Sequence, residues 1–175
     1  LTDDVADLAM ALTHMLCRDL VRADAHARSG AWQQGRFEVG DSLVDMTMGI
    51  AGLSGRIGQA IATRARASRM KIAGLDRASN QGLGASLHEG WKALAATSDV
   101  LVLAVPGTSD LMNIIGREEL NALGPKGRLI NVGRGTLVDT NALIEALQMQ
   151  TIAGAALDVL DTEPFVPPQL AVLSN

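Results

Sequence analysis

Aromatic residues are nearly absent from this chain of 175 residues, which has two tryptophans, two phenylalanines and no tyrosine. The core must therefore be aliphatic, with the seven methionines available to fill irregular gaps. The single cysteine, Cys17, excludes an internal disulfide, which is typical of the reducing cytoplasm. No apolar run reaches the ~18 residues needed to span a bilayer. We therefore expect a cytoplasmic protein with no membrane partner.

The charge pattern excludes a second class of partner. The net charge is −4 and no basic residues cluster into a patch, so we expect no nucleic-acid partner. Hydrophobic residues make up 47% and charged residues 19%, which is typical of a folded globular chain. The length suits one domain. We predict no metal site.

One stretch of the chain carries the clearest pattern. A short apolar run from Met46 to Ala51 predicts a buried strand, and helical spacing follows from Ile57 to Ala67. A second apolar run, Met70 to Leu75, ends at Asp76. The first strand and the helix are joined by a turn that contains Gly52, Gly55 and Gly58. This order predicts a dinucleotide-binding βαβ unit.

Each part of the predicted unit has a chemical task. Glycines allow the backbone to approach a pyrophosphate, and a helix N-terminus offers free N–H groups and a positive dipole end. An acid after the second strand can accept hydrogen bonds from the ribose hydroxyls. Asp76 follows Gly58 by 18 residues, close to the expected spacing of about 20. The turn has one residue more than G-x-G-x-x-G, and we expect Ser54 to bulge or to bring its hydroxyl near a phosphate.

The rest of the chain alternates between the same two kinds of element. Apolar runs predict further strands over 100–105, 128–132 and 152–159. Helical patterns are found at 88–97, 117–123 and 140–149, the last capped by Asp139. We therefore predict an α/β fold, a Rossmann-type doubly wound parallel sheet with helices on both faces. The tail after the last strand contains three prolines and is predicted to be extended.

A long helix is predicted before the first strand, over residues 3–28, with Thr2 as its N-cap. Its apolar stripe consists of Val5, Leu8, Leu12, Met15, Leu16 and Leu20. Two interpretations remain open, because the stripe can pack within the domain or against a partner subunit. We assign residues 1–30 to a linking or dimerisation helix and residues 31–175 to the dinucleotide-binding domain.

With these elements placed, the sequence resembles the cofactor domain of the D-isomer-specific 2-hydroxyacid dehydrogenases, near the glyoxylate/hydroxypyruvate reductases. The resemblance rests on the opening helix and on four segments: G-I-A-G-L-S-G-R-I-G-Q-A-I-A, D-V-L-V-L-A-V-P-G-T, L-I-N-V-G-R-G-T-L-V-D and G-A-A-L-D-V-L-D-T-E-P. They occur in the family's order over nearly the whole chain. The last two are much more specific than the glycine turn.

The resemblance implies roles for three residues near the reacting groups. Arg134 would hold the carboxylate and carbonyl of a 2-oxo acid, a task suited to the two parallel hydrogen bonds of a guanidinium. Glu163 would pair with a catalytic histidine and raise its pKa. Asp158 would meet the nicotinamide carboxamide. Each has a structural alternative, as a surface arginine or as an acid in a solvated loop.

The resemblance also assigns cofactor contacts. Arg56 would face the pyrophosphate, with Ile57 packed beneath it. Residues after the third and fourth strands would line the site: Val105, Pro106, Thr108, Val132 and Gly133. We prefer NAD to NADP, because Asp76 would repel a 2′-phosphate, although the adjacent Arg77 can offset that charge or bind the phosphate.

One part of the family pattern is missing. The family's proton donor is a histidine in a P-H segment, and His14, His26 and His88 do not match it. The substrate domain is also missing, and we expect a piece of a longer protein that binds cofactor without turning over substrate. The resemblance implies a homodimer acting on a small 2-hydroxy or 2-oxo acid. Alternatives are an NAD(H)-sensing module of the corepressor type, a formate or phosphite dehydrogenase relative, and a domain that binds nothing.

Overall fold

The computed structural model describes residues 1–175 and contains one parallel sheet of six strands. The strands are β1 (Thr47–Ala51), β2 (Lys71–Leu75), β3 (Ser86–His88), β4 (Val100–Leu103), β5 (Arg128–Asn131) and β6 (Gly154–Leu157). Their order across the sheet is β3-β2-β1-β4-β5-β6, and every neighbouring pair is parallel. This is the strand order of a doubly wound dinucleotide-binding sheet. The predicted fold class is confirmed.

Helices cover both faces of the sheet. They are α1 (Thr2–Cys17), α2 (Leu20–Arg28), α3 (Arg56–Ala67), α4 (Gly90–Thr97), α5 (Arg117–Leu123), α6 (Thr140–Gln148) and α7 (Pro168–Ala171). One apolar core lies beneath α1 and α3, and a second lies beneath α4, α5 and α6. None of the helices is both long and apolar enough to cross a bilayer.

The central strands are apolar along their whole length because both of their faces are covered. In β4, Val100 and Val102 belong to the core under α1 and α3, whereas Leu101 and Leu103 belong to the core on the other face. All four side chains are fully buried. This alternation follows from the two-residue period of a strand. Because every pair is parallel, the carboxyl ends of β1, β2, β4, β5 and β6 lie along one edge of the sheet.

The single helix predicted over residues 3–28 is wrong, because the structure has two helices there. α1 ends before Arg18, and Asp19 has a left-handed backbone with φ of 53°. Aspartate tolerates that conformation better than most residues, and Arg22 forms an ion pair with it at 2.7 Å. Thr2 is the first helical residue and not the N-cap, a position that Leu1 occupies.

Much of the α1 surface packs within its own domain. The helix contacts α3, β5 and β6 through small side chains as well as large ones. Its fully covered residues are Ala6, Ala9, Met10, Thr13 and Cys17. Two leucines of the predicted stripe, Leu8 and Leu20, are instead 36% and 49% exposed. The other four residues of the stripe, Val5, Leu12, Met15 and Leu16, are partly buried against the core of the domain, and the contact with a partner subunit stays a prediction.

Two further boundaries differ from the predictions. The helix predicted from residue 88 begins at Gly90, and His88 ends the edge strand β3, which the sequence did not reveal. A strand of three residues at the sheet edge needs no apolar pattern. The segment T-E-P-F-V-P-P, which was predicted to be extended, is followed by the one-turn helix α7, which begins at the last of its prolines.

Candidate dinucleotide-binding site

The glycine turn brings the end of β1 and the start of α3 into direct contact. Gly52 has φ of +94°, and a Cβ atom there would lie 2.6 Å from the carbonyl oxygen of Ala104. A Cβ atom on Gly58 would overlap the carbonyl oxygen of Gly52. Side chains are therefore excluded at both positions, and α3 starts directly behind the strand. Gly55 closes the turn, with its N–H donating to the Gly52 carbonyl at 2.9 Å.

The first amides of α3 are unpaired. Its first intrahelical hydrogen bond runs from the N–H of Gln59 to the carbonyl of Gly55 at 2.9 Å. The N–H groups of Arg56, Ile57 and Gly58 donate to no acceptor within the chain. Three free donors at the positive end of a helix dipole form an anion-binding surface.

The segment after β2 carries the predicted acid and base. Asp76 and Arg77 are both exposed. The Nε2 group of Gln81 donates to Oδ1 of Asp76 at 3.1 Å, which leaves the second carboxylate oxygen free. The hydroxyls of Ser54 and Ser79 are hydrogen-bonded at 3.1 Å, so the extra residue of the glycine turn is joined to this segment.

The loop after β4 places Val105, Pro106 and Thr108 next to the turn. A Cβ atom on Gly52 would lie 3.1 Å from Cγ1 of Val105. The Thr108 hydroxyl lowers the pKa of the nearby Asp110 carboxyl, and the charge of Arg77 contributes to the same shift. Asp110 is thus a second acid near Arg77, and the sequence analysis did not single it out.

The turn after β5 is held by a buried side chain that the sequence analysis also missed. Asn131 is 1% exposed. Its Oδ1 accepts the N–H of Gly133 at 3.1 Å, and its Nδ2 donates to the carbonyl of Arg134 at 2.9 Å. Arg134 is exposed and uses one N–H to reach the Gly133 carbonyl at 2.7 Å. Val132, which we assigned to cofactor contact, is 8% exposed and belongs to the core beneath α1 and α3.

The two acids after β6 lie on an adjoining loop. Asp158 is exposed, and its N–H donates to the carbonyl of Asn131 at 3.0 Å. Glu163 accepts the N–H of Leu160 at 2.8 Å through Oε1, which leaves its other oxygen free. A Cβ atom on Gly135 would overlap the backbone of Leu160, so the loops after β5 and β6 touch.

All the predicted site residues therefore follow the carboxyl ends of five parallel strands. Adjacent loops contact one another: a Cβ atom on Gly133 would lie 2.7 Å from the Val105 carbonyl, and one on Gly107 would lie 2.8 Å from Cβ of Arg134. His14 and His26 lie away from this edge, on α1 and α2, whereas His88 ends β3 and its carbonyl accepts the N–H of Asp76 at 2.8 Å. In this sheet order, the crevice at the carboxyl edge is the ligand site. Free amides, clearance at the turn and an acid after β2 fit a dinucleotide, and together they define the class as a Rossmann-type nucleotide-binding domain.

Comparison with known proteins then identifies the family. The model of the D-isomer specific 2-hydroxyacid dehydrogenase NAD binding domain matches residues 10–175. The chain belongs to this family, as the resemblance of its motifs implied.

Three similar proteins illustrate the relationship. A 2-ketogluconate reductase of Gluconobacter oxydans is 45% identical over 175 residues, which is 100% of this chain and 56% of the relative. A glyoxylate/hydroxypyruvate reductase of Arabidopsis thaliana is 44% identical over the same shares. The crystal structure of an NADPH-dependent glyoxylate/hydroxypyruvate reductase from Sinorhizobium meliloti, in complex with NADP and malonate, superposes with a TM-score of 0.91 at 44% identity. The match covers 99% of this chain and 55% of the chain in that crystal structure.

The chain therefore spans about half the length of the relatives it matches. These relatives are named reductases, and the alternatives of a corepressor-type sensing module or a formate or phosphite dehydrogenase relative are not favoured. As a member of this family, the domain binds NAD or NADP. The enzymes of the family are oxidoreductases that act on CH–OH donors.

Replacement of Asn131 tests the organisation of the β5 turn. We expect Asn131→Ala to lower the free energy of unfolding by about 1–3 kcal/mol, because it leaves the Gly133 N–H and the Arg134 carbonyl without their partner. Asn141, which is exposed on α6, provides the control, and Asn141→Ala should change stability by about 0.5 kcal/mol or less. Equilibrium urea unfolding measures both. Equal stability of the two variants would contradict this role of Asn131.

Proposed function

We propose that the chain is the cofactor domain of an NAD(P)-dependent reductase for small 2-oxo acids of the glyoxylate or hydroxypyruvate type. The supporting observation is the set of free amides at Arg56, Ile57 and Gly58 behind a turn that admits no side chain at Gly52. A pyrophosphate is the anion that satisfies such a set. The substrate class is supported by the names of the relatives in Arabidopsis thaliana and Sinorhizobium meliloti.

In this proposal, Arg134 orients the substrate. A guanidinium has five N–H donors, and Arg134 uses one of them within the chain. The remaining donors can bind the substrate carboxylate in a bidentate manner and polarise the neighbouring ketone. The bound nicotinamide supplies the hydride that is exchanged with C2 of the substrate. Arg134 thereby fixes which carbon faces the cofactor.

The two acids after β6 have separate tasks in the proposal. Asp158 accepts a hydrogen bond from the carboxamide of the cofactor. The free oxygen of Glu163 accepts an N–H from an imidazole and stabilises its protonated form. We propose that this histidine and the substrate-binding domain belong to parts of the full protein outside these 175 residues, with residues 1–30 as the link and residues 31–175 as the nucleotide-binding unit.

Separate binding and turnover measurements on the chain test the proposal. We expect NADH to bind, with heat detected by titration calorimetry, and we expect no reduction of hydroxypyruvate above the rate without protein. The physical reason is that the pyrophosphate contacts lie within the chain, whereas the proposed proton donor does not. Failure to bind either nucleotide would reject the proposal, and appreciable turnover would reject the assignment of the missing groups.

Removal of the acid after β2 tests the choice of cofactor. We propose NAD, because the Asp76 carboxylate accepts from a ribose 2′-hydroxyl and repels a 2′-phosphate. Asp76→Ala should therefore improve the affinity for NADPH relative to NADH by about tenfold, which corresponds to about 1.4 kcal/mol. Glu38→Ala removes one exposed carboxylate outside the site and should leave the ratio unchanged. An unchanged ratio in Asp76→Ala would show that this repulsion does not operate.

We further propose that the full protein is a homodimer, with α2 and the segment after it at the interface. Apolar side chains are exposed there: Trp32 is 69% exposed, Val39 is 72% and Val21 is 63%. Trp32 and Phe37 line a cleft of about 470 Å³. Large apolar side chains exposed beside a cleft are typical of association surfaces, and the family resemblance implies a second copy of the chain as the partner.

Sedimentation of the chain at high concentration tests this interface. We expect a dimer whose dissociation constant rises at least tenfold in Trp32→Ser, because a large exposed side chain near the centre of an interface carries much of the binding energy. Met112, which is 61% exposed in the loop after β4, serves as the control in Met112→Ser. If the chain is strictly monomeric at high concentration, the proposed dimer is wrong. The cytoplasmic location and the absence of nucleic-acid and membrane partners stay predictions.

A further inference from the structure

The extra residue of the glycine turn is held from two sides. Gln59 of α3 donates through Nε2 to the carbonyl of Ser54 at 3.0 Å. The Ser54 hydroxyl donates to the Ser79 hydroxyl at 3.1 Å. Ser79 lies in the short 3-10 turn Ala78–Asn80, directly after the residues that carry the charges of this end of the site. The insertion thus connects the proposed pyrophosphate turn to the proposed ribose segment.

The segment after β2 is ordered by its own contacts as well. Asn80 is 5% exposed, and its Nδ2 donates to the carbonyl of Leu75 at 2.8 Å. Gln81 holds one oxygen of Asp76 at 3.1 Å. Beneath the insertion, Leu53 is buried against Gly74, where an added Cβ atom would lie 2.9 Å from Cδ2 of the leucine. Movement of Ser79 would therefore be transmitted to the backbone that bears Asp76.

The segment after β2 carries two opposite charges, so its position affects which nucleotide can bind. Asp76 opposes a 2′-phosphate, whereas the adjacent Arg77 attracts one. Which charge dominates depends on where the segment lies, because both side chains are exposed and share one backbone. A hydrogen bond that fixes this backbone against the glycine turn thereby selects between a ribose hydroxyl and a ribose phosphate.

We propose that Ser54 and Ser79 are a positioning pair that sets nucleotide selectivity, by holding the Asp76 segment against the glycine turn so that a 2′-hydroxyl is accepted and a 2′-phosphate is disfavoured. This inference rests on the proposed function, since it requires that a dinucleotide binds at the carboxyl edge. Ser54 acts through Ser79 and the backbone that follows Asp76. It is additional to the repulsion by the Asp76 carboxylate itself.

A mutant cycle on the chain of 175 residues tests the pair, with NADH and NADPH affinities measured by titration calorimetry. Ser54→Ala and Ser79→Ala should each improve NADPH binding relative to NADH by about 3- to 10-fold, the range expected for loss of one hydrogen bond. The double variant should change the ratio no more than either single variant, because both remove the same bond. Ser54→Thr keeps a hydroxyl and should restore the wild-type ratio. Ser42→Ala, in the loop before β1, should leave the ratio unchanged.

The possible results separate this inference from the proposed function. In one outcome, NADH binds while the ratio of NADPH to NADH affinity changes less than twofold in both single variants. That result would overturn the proposed role of the pair and leave the proposed function intact. A selective loss of NADPH affinity would also overturn it, since the hydroxyls would then be ligands of a 2′-phosphate. Binding of neither nucleotide to the wild-type chain would reject the proposed function and the inference together.

Discussion

Close backbone contact between the end of β1 and the first turn of α3 is the constraint on which the site depends. Because Gly58 lies against the carbonyl of Gly52, α3 starts directly behind β1, and its first three amides donate to no group of the chain. A methyl group at either position would push the helix away and leave those donors to water. The buried leucine between them, Leu53, packs against Gly74 of β2 and holds the turn from below. Packing and anion binding are thus consequences of one contact.

The loop after β5, at the same edge of the sheet, is also ordered by contacts within the chain. The buried Asn131 amide replaces the hydrogen bonds that the β5 turn cannot make with a neighbouring strand, and it does so with both of its polar atoms. The arginine beyond it can then be exposed without making the backbone mobile. The β5 turn thus satisfies its polar groups within the loop, as buried polar groups require, whereas in the loop after β2 the buried Oδ1 of Asn80 has no partner.

Periodicity and glycine spacing predicted the strands of the central sheet, because a strand covered on both faces must be apolar throughout, as Val100–Leu103 is. They also predicted the turn and the acid after β2. The break at Asp19 had no such signal, since no glycine or proline marks it and the left-handed residue is an aspartate. Strand β3 was missed because its three residues are short and partly polar. Ser79 was missed because its partner, Ser54, is distant in the sequence, and a single sequence does not encode such a contact as a local pattern. Asn131 bonds residues only two and three positions ahead, but its role depends on its burial at the end of β5, which the sequence pattern does not show.

The contact between Gly135 and Leu160 has a consequence for how such a domain can diversify. Arg134 is fixed through Asn131, and Glu163 is fixed through the Leu160 amide, so the two side chains stand on backbones that touch. An insertion in either loop would therefore change the distance between the two side chains, whereas substitutions on surfaces that do not contact these two loops would leave that distance unchanged.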